Sequence, residues 1–399
     1  MKTNRLERIE RYLIVLIQRR GADRGRNWQA RVLLRFLHAL SHLYRGIVQL
    51  RHFLYAHGIF RHHTLGCQVI SVGNLTVGGT GKAPVVEVFA RELQKAGRRV
   101  AILSRGYKKA QLSLPRRLVD LLLFRQQRQP PRVVSDGKML LLDSAMSGDE
   151  PYMLASNLPD VAVLVDKNRV KSGRYAINKL GCDTLILDDG LQYLSLKHRA
   201  EIVLVDRTNP FGNERVLPRG ILREPVKNIR RANYIFITKS NGSGAEELKA
   251  RLRALNPVAE IIECRHCPRH LKNVFSAETK PLEHLRGLQV TSVAGIADPR
   301  GFEHALETLG AVLRDRQRFV DHHRYTQQEI IDIVNESERR GDQAIVTTEK
   351  DAVRFPRLDR CDVPIYFLRV DIEILSGEED FQKAISRICF LEQGDGNKA

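Results

Sequence analysis

The chain of 399 residues carries a formal net charge of +19, and its residues are 43% hydrophobic and 28% charged. That length allows about two or three domains with buried cores, and the hydrophobic fraction excludes an intrinsically disordered polymer. The surplus of positive charge indicates a polyanionic partner such as nucleic acid, an anionic membrane surface or a phosphorylated substrate. The six cysteines are too few and too scattered for a disulfide framework, which predicts a reducing compartment.

The arginine-rich N-terminal region predicts an amphipathic helix from Ala30 to Leu54. Its apolar face holds Leu33, Phe36, Leu37, Leu40, Leu43, Tyr44 and Ile47, and its opposite face holds Arg31, Arg35, His38, His42, Arg45 and Gln49. Such a helix suits the interface of an anionic membrane, and an ordinary helix packed on its own core is the alternative. The run Tyr12–Ile17 is too short for a signal peptide, and no stretch reaches the roughly 18 apolar residues that cross a bilayer.

From Cys67 onward, apolar runs of strand length alternate with helical segments. The predicted strands are Cys67–Val72, Arg99–Ser104, Val161–Val165, Thr184–Leu187, Ile202–Val205 and Tyr234–Thr238, and the predicted helices are Pro84–Lys95, Arg169–Leu180 and Gly244–Leu255. This alternation predicts an α/β fold with a mostly parallel sheet, like that of P-loop NTPases, and helices on both faces. The basic segment Tyr107–Lys138 is interpreted as an insertion over the site.

A smaller C-terminal α/β lobe is predicted to begin near Leu285. Its strands are Gln289–Ala294, Ala344–Thr347 and Ile365–Val370, and its helices are Arg300–Leu309, Gln327–Arg339 and Phe381–Phe390. The predicted domains are a membrane-associating helical segment at 1–63, a P-loop core at 64–257, a hinge region at 258–285 and the C-terminal lobe at 286–399. Within the hinge region, Cys264 and Cys267 form a CxxC pair that lacks a second ligand pair at zinc spacing, so a strand or turn is the preferred interpretation.

The clearest motif runs from Gly73 to Pro84, between a strand and a helix, which is the context of a phosphate loop. Its predicted ATP-binding residues are Gly78, Gly79, Thr80, Gly81, Lys82, Ala83 and Pro84. Glycines let backbone N–H groups point at phosphate oxygens, and Lys82 reaches the β- and γ-phosphates. The motif departs from the strict pattern at Thr76, where glycine is usual, and at Ala83, where Ser or Thr would offer a hydroxyl to Mg²⁺.

Two acids follow the strand Thr184–Leu187 directly. Ligands of α/β sheets sit at the carboxyl ends of strands, and acids at such a position can hold the Mg²⁺ that bridges the β- and γ-phosphates. Asp188 and Asp189, about a hundred residues after the phosphate loop, therefore predict a site for ATP with Mg²⁺.

Nine segments between about Val69 and Asp351 resemble, in the same order, the tetraacyldisaccharide 4'-kinase family. They are Ser71–Pro84, Ser104–Tyr107, Gly148–Pro151, Leu187–Gln192, Pro210–Asn213, Leu222–Pro225, Ala294–Ile296, Asp321–His322 and Thr347–Asp351. The resemblance implies a two-lobed kinase of lipid A synthesis, at the cytoplasmic face of the inner membrane of Gram-negative bacteria. It implies transfer of the ATP γ-phosphate, with Mg²⁺, to the 4'-hydroxyl of a tetraacyldisaccharide 1-phosphate.

The resemblance also implies roles for individual residues. The catalytic residues would be Asp149 as the base, His322 as its partner and Lys82; the metal-binding acids would be Glu150, Asp188 and Asp189; and the residues that shape the active site would be Arg105, Tyr107, Arg223 and Glu224. His323 is the competing assignment for His322. Taken alone, Asp149 could be a helix cap and His322 a surface histidine.

Other functions stay open at this stage. A P-loop ATPase or GTPase that is not a kinase would need the same nucleotide residues, although Thr238–Asn241 matches the base-reading Asn-Lys-x-Asp of GTPases only in part. Ala83, together with Tyr193 and Arg219 at two other positions that differ from the family, suggests a weakly active relative. No zinc-finger, RNA-binding or helix-turn-helix signature is present, so no nucleic-acid partner is predicted. Nothing in the sequence specifies an oligomeric state.

Overall fold

The computed structural model describes residues 28–106, 129–358 and 362–389. Its helices are α1 (Trp28–Ala56), α2 (Lys82–Lys95), α3 (Ser144–Ser147), α4 (Asp149–Asn157), α5 (Arg169–Leu180), α6 (Glu246–Leu255), α7 (Pro299–Thr308), α8 (Gln327–Arg340), α9 (Glu349–Ala352) and α10 (Glu378–Cys389). Its strands are β1 (Gln68–Asn74), β2 (Val100–Ser104), β3 (Arg132–Asp136), β4 (Ala162–Val165), β5 (Thr184–Asp188), β6 (Ala200–Asp206), β7 (Tyr234–Thr238), β8 (Glu260–Asn273), β9 (Thr279–Lys280), β10 (Gln289–Ala294), β11 (Val312–Arg318), β12 (Ala344–Thr348) and β13 (Ile365–Ser376). The predicted α/β class with a mostly parallel sheet is confirmed.

Four strands, β3, β8, β9 and β11, lie outside the strands predicted from the sequence, although β8 includes Cys264 and Cys267, for which a strand or turn was the preferred interpretation. β3 lies within the segment interpreted as an insertion, and the long strand β8 occupies much of the predicted hinge region. β11 reads Val-Leu-Arg-Asp-Arg-Gln-Arg, and it pairs with β10 at one end of the strand order. An edge strand with so many charged side chains has no apolar alternation to reveal it, because water rather than a core covers it.

The chain divides into two compact units, each built from separate stretches of sequence. Unit 1 comprises the described residues up to Lys82, Thr184–Arg265 and those from Ile374 onward. Unit 2 comprises the described residues of Ala83–Asp183 and of His266–Glu373. Both units are discontinuous along the chain, and the domain boundaries given above stay a prediction.

In unit 1 the strands are arranged in the order β8-β7-β6-β1-β5, and each neighbouring pair is parallel. β5, β6 and β7 are buried along their whole length, as expected of parallel strands covered on both faces. Val72 of β1 lies opposite Asp188 of β5. The loop after β1 and the acids after β5 therefore leave the sheet side by side, at its carboxyl edge.

Unit 2 contains β4 with β2 parallel on one side and β3 antiparallel on the other, and a parallel group in the order β11-β10-β12-β13. α8 begins with a capping box in which the Thr326 side chain accepts from the Glu329 backbone and the Glu329 side chain accepts in return. Its apolar residues Ile330, Ile333 and Val334 pack in a core with residues of β10, β12 and β13. This packing fixes the turn that precedes α8, and that turn contains His322 and His323.

The predicted N-terminal helix is present as α1, but its predicted apolar face is divided in the structure. Of its residues, Leu33, Leu37, Leu40 and Tyr44 are partly buried, whereas Phe36, Leu43 and Ile47 are each more than half exposed. Outside the predicted face, Ala30 and Leu34 are buried, and Val32 and Leu50 are more than half exposed. Within the three described ranges, none of the helices is both long enough and apolar enough to cross a membrane.

Candidate active site

The phosphate loop of unit 1 joins the end of β1 to the start of α2. Gly78, Gly79, Thr80 and Gly81 form the turn, and Lys82, Ala83 and Pro84 begin α2. The Lys82 ammonium group donates to Asn74 Oδ1 at 3.2 Å and lies 3.4 Å from Asp189 Oδ1. Asn74 Nδ2 in turn donates to Thr76 Oγ1 at 3.2 Å. The end of β1 thereby holds the lysine head group over the turn.

The turn itself has the features of an anion cradle. Gly81 adopts a φ of 76°, a left-handed conformation that glycine enters without steric cost. The Thr80 carbonyl accepts from Thr238 Oγ1 at 2.9 Å, which fixes the turn to the end of β7. Among the described residues, Thr80 Oγ1 is buried and has no hydrogen-bond partner. A buried hydroxyl without a partner is costly, and a phosphate oxygen would satisfy it, so this turn fits a nucleotide phosphate.

The acid pair lies next to this turn. Asp188 is the buried last residue of β5, and Asp189 follows it with a φ of 56°. Arg223 Nη1 donates to both carboxylate oxygens of Asp189, at 2.8 and 2.7 Å. Burial alone would raise the pKa of Asp189, but the charges of Lys82 and Arg223 outweigh it and hold the pKa below its usual value. Asp189 is therefore a carboxylate at neutral pH, between two cations.

Residues after the acid pair connect it to the phosphate loop. A Cβ at Gly190 would lie 2.5 Å from Ser71 Oγ, so only glycine allows this close approach to β1. Gln192 Nε2 donates to the Asn74 carbonyl at 3.1 Å, and Arg223 Nη1 donates to Gln192 Oε1 at 3.2 Å. No role was predicted for Asn74 or Gln192, although both lie inside segments that resemble the family.

Glu224 and α1 form contacts that support the segment containing Arg223. Glu224 is buried, and its Oε2 accepts from Arg231 at 2.9 Å and lies 2.9 Å from His52 Nε2 of α1. Burial would raise the pKa of Glu224, but its bond to His52 and the charge of Arg231 hold that pKa below its usual value. The Tyr44 hydroxyl of α1 donates to the Arg223 carbonyl at 3.1 Å. In these contacts Glu224 supports the segment that carries Arg223.

In unit 2, Asp149 is the first residue of α4. Gly148 is the N-cap of that helix, so the cap position that Asp149 could have occupied belongs to its neighbour. Asp149 Oδ2 lies 3.3 Å from His322 Nδ1 and accepts from Arg354 Nε at 2.8 Å, and Oδ1 accepts from Arg324 Nη2 at 3.0 Å. Burial would raise the pKa of Asp149, but the His322 bond and the two guanidinium charges hold it below its usual value. An ionised carboxylate of this kind can accept a proton.

The structure brings His322, rather than His323, next to Asp149. His322 has a φ of 64°, uncommon for a residue with a side chain, and its backbone N–H donates to the Gly295 carbonyl at 3.1 Å. His323 Nε2 instead lies 3.2 Å from the Glu329 carboxylate, and its ring stacks on that of Phe319. The adjacent side chains of His322 and His323 therefore have different partners.

The remaining predicted residues are placed as follows. Glu150 of α4 forms an ion pair with Lys350, at 2.7 Å between Oε1 and Nζ. Arg105 is exposed directly after β2, and Tyr107 lies outside the described residues. No group of three or more His, Cys, Asp or Glu side chains in the described ranges is arranged to hold a metal ion. Mg²⁺ commonly takes only one or two carboxylates, with phosphate oxygens and water as its other ligands. Asp188 and Asp189 offer such a pair, although both carboxylate oxygens of Asp189 accept from Arg223 in this structure.

Comparisons with known proteins indicate one enzyme family. Residues 33–389 match the family described as Tetraacyldisaccharide-1-P 4'-kinase. The tetraacyldisaccharide 4'-kinase of Anaeromyxobacter dehalogenans strain 2CP-C is 41% identical over 352 residues, covering 86% of this chain and 87% of that protein. The enzyme of the same name from Halothermothrix orenii is 34% identical over 404 residues, covering 97% of this chain and 100% of that protein.

A solved structure agrees with the sequence relatives. The structure of LpxK from Aquifex aeolicus in complex with ATP is 29% identical and has a TM-score of 0.68, and the match covers 90% of this chain and 100% of that one. A family match that spans most of the chain and relatives above 30% identity lead to the same assignment. This chain therefore belongs to the tetraacyldisaccharide 4'-kinase family.

Proposed function

We propose that this chain transfers the γ-phosphate of ATP to the 4'-hydroxyl of a tetraacyldisaccharide 1-phosphate, as a lipid kinase of lipid A synthesis. The observation that carries the proposal is the arrangement of Lys82, Asp189 and Arg223 around the turn between β1 and α2. Cations beside a phosphate cradle can stabilise the charge that develops on a transferred phosphoryl group. Membership of the family supplies the identity of the acceptor.

In this proposal Lys82 binds the β- and γ-phosphates, and the unpartnered Thr80 hydroxyl donates to a phosphate oxygen. Asp188, Asp189 and Glu150 are the residues that would hold Mg²⁺, which when bound neutralises charge on the β- and γ-phosphates. Ala83 contributes no hydroxyl ligand, so the acids have to supply the protein's share of the metal ligands.

Asp149 is proposed to take the proton from the 4'-hydroxyl as that oxygen bonds to the γ-phosphorus and the bond from the γ-phosphorus to the bridging oxygen breaks, which releases ADP. The lowered pKa of Asp149 keeps its carboxylate ionised at neutral pH, so the carboxylate can accept a hydrogen bond from the 4'-hydroxyl. His322 lies 3.3 Å from the same carboxylate and can stabilise the proton that arrives there. Arg105, Tyr107 and Glu224 are proposed to shape the active site, as the family resemblance implies.

We also propose that α1 binds the enzyme to the cytoplasmic face of the inner membrane. The apolar stripe of α1, defined as Val32, Phe36, Leu43, Ile47 and Leu50, has side chains between 54% and 63% exposed. Exposed basic residues flank the stripe on the same helix: Arg31, Arg35, His42 and Arg45. Apolar side chains beside cations match the boundary between acyl chains and anionic head groups, where the lipid acceptor lies.

A transfer assay tests the catalytic proposal. Purified protein, γ-labelled ATP and detergent-solubilised acylated disaccharide 1-phosphate should yield labelled lipid, and an acceptor without the 4'-hydroxyl should not. Asp149→Asn should lower the transfer rate by about 10²- to 10⁴-fold, the range expected for loss of a general base, while ATP binding persists. Labelled lipid at the wild-type rate from Asp149→Asn would refute the base assignment.

The same assay separates the alternative functions. A P-loop ATPase that is not a kinase would release inorganic phosphate at a rate that does not depend on the acceptor. A weakly active relative would transfer phosphate only slowly, and its rate would respond to restoring a hydroxyl at Ala83. Equal hydrolysis with and without acceptor, and no labelled lipid, would overturn the proposed function.

A further inference from the structure

Arg354 is a buried arginine in the turn after α9 of unit 2, and no sequence motif pointed to it. Its side chain has no exposed surface. Nε donates to Asp149 Oδ2 at 2.8 Å, and Nη1 donates to Asp351 Oδ1 and to the Gly295 carbonyl, both at 3.1 Å. Nη2 lies 3.3 Å from His322 Nδ1. One guanidinium group therefore touches the proposed base, the proposed partner histidine and two fixed acceptors.

Asp351 anchors the guanidinium group from the side away from Asp149. It is itself buried, and its Oδ2 accepts from Thr348 Oγ1 at 2.6 Å and from the Gly295 backbone N–H at 3.1 Å. Its Oδ1 accepts from the Tyr325 hydroxyl at 3.0 Å as well as from Arg354. A carboxylate with this many donors has one orientation, so the arginine bound to it is held in one orientation too.

The two oxygens of Asp149 have different surroundings. Oδ2 contacts both Arg354 and His322, whereas Oδ1 accepts from Arg324, whose side chain is 44% exposed. The Arg354 bond, at 2.8 Å, is shorter than the 3.3 Å contact with His322, and arginine carries its charge at every relevant pH. Nδ1 of His322 can donate to Asp149 or accept from Arg354, but not both at once. Arg354 is thus the more constant constraint on the carboxylate.

We propose that Arg354 is a positioning residue for phosphoryl transfer: it holds Oδ2 of Asp149 so that Oδ1 takes the proton of the acceptor hydroxyl. The inference rests on the proposed role of Asp149 as the base. Lysine cannot replace this function, because a single ammonium group cannot reach Asp149, Asp351 and the Gly295 carbonyl with fixed geometry. When the base is displaced by a fraction of an ångström, or is rotated, the enzyme reacts more slowly but keeps its affinity for the substrate.

A double-mutant cycle tests this inference, with kcat, KM for ATP and melting temperature measured for each variant of the full chain. Arg354→Lys should lower kcat by about 10- to 100-fold while KM for ATP changes by less than about twofold. In the Asp149→Asn background, Arg354→Lys should lower kcat by less than about threefold, because the group through which it acts is already lost.

Arg369→Lys is the matched control for removing a buried, ion-paired guanidinium group. Arg369 is also buried in unit 2, and it pairs with Glu87, with Glu349 Oε2 at 2.8 Å and with Asp371 Oδ1 at 3.0 Å. Whatever Arg369→Lys does to kcat, its factor should be the same with Asp149 and in the Asp149→Asn background. A structural role for Arg354 would give that additive result as well.

The outcomes are distinct. The inference is overturned, while the proposed function stands, in either of two cases. In the first, Arg354→Lys transfers phosphate at the wild-type rate. In the second, Arg354→Lys lowers kcat by the same factor in the Asp149→Asn background as in the wild type. If the wild type transfers no phosphate, or Asp149→Asn is as fast as the wild type, the proposed function or the base assignment fails first. If Arg354→Lys does not fold, the same cycle is run with Asp351→Asn, which loosens the anchor of Arg354 and should show the same dependence on Asp149.

Discussion

Replacing the two most exposed residues of the apolar stripe should release this protein from membranes. Phe36 is 60% exposed and Leu43 is 63% exposed. Full burial of a Phe or Leu side chain gains about 1.5–3 kcal/mol, so covering three-fifths of each gains about 1–2 kcal/mol per residue. The double variant Phe36→Ser/Leu43→Ser should therefore weaken vesicle binding by about 2–4 kcal/mol, which is about 30- to 700-fold in the partition coefficient.

The assay is co-sedimentation with vesicles that contain anionic phospholipid, at low and at high salt. Val258→Ser is the matched control, since Val258 is 81% exposed in unit 1 but lies outside the stripe. Salt should weaken binding of the wild type, because the basic residues beside the stripe attract anionic head groups through screened charges. The double variant should keep its melting temperature, since neither side chain is buried in the protein.

Equal partitioning of Phe36→Ser/Leu43→Ser and the wild type would refute the membrane role of the stripe. A partition coefficient that falls as far in Val258→Ser as in the double variant would show that general surface hydrophobicity, rather than α1, drives binding. A large fall in melting temperature for the double variant would instead support the alternative stated for this helix, namely packing on the protein's own core.

Three further predictions concern the site. Lys82→Ala should abolish detectable transfer and weaken ATP binding, because it removes the cation beside Asp189; ATP affinity by calorimetry equal to that of the wild type would contradict this. Ala83→Thr should lower the Mg²⁺ concentration for half-maximal activity without abolishing turnover, although Ala83 is buried and the added atoms need room. An unchanged Mg²⁺ titration would mean that no hydroxyl is required at this position. Hydrogen exchange at Asp321–Tyr325 should slow when ATP and the acylated disaccharide phosphate are both bound; protection at the phosphate loop without any change at Asp321–Tyr325 would indicate that His322 is structural.

Several parts of this protein are local enough for the sequence to specify them. The phosphate loop is a strand, a glycine-rich turn and a helix in succession, and residues within about ten positions of each other determine its conformation. The acid pair is equally local, since Asp188 ends an apolar strand and Asp189 follows it. The α/β class follows from the alternation of elements, because parallel strands need helical crossovers. The α/β class is confirmed, while the roles of the individual phosphate-loop residues and of the acid pair stay predictions.

Contacts between residues far apart in sequence were decided only by the tertiary structure. Arg354 meets Asp149 across 205 positions, and nothing in the sequence near Arg354 distinguishes it from the other arginines of a basic chain. His322 rather than His323 lies beside Asp149, and the backbone at His322 has a φ of 64°, which periodicity does not reveal. In α1, the helical period placed Phe36 among the apolar residues, but only the packing of the rest of unit 1 against this helix determined that its side chain remains exposed. A hydrophobic pattern identifies the apolar side chains of a helix. Tertiary packing determines which of them are buried in the core and which stay exposed and available to bind another surface.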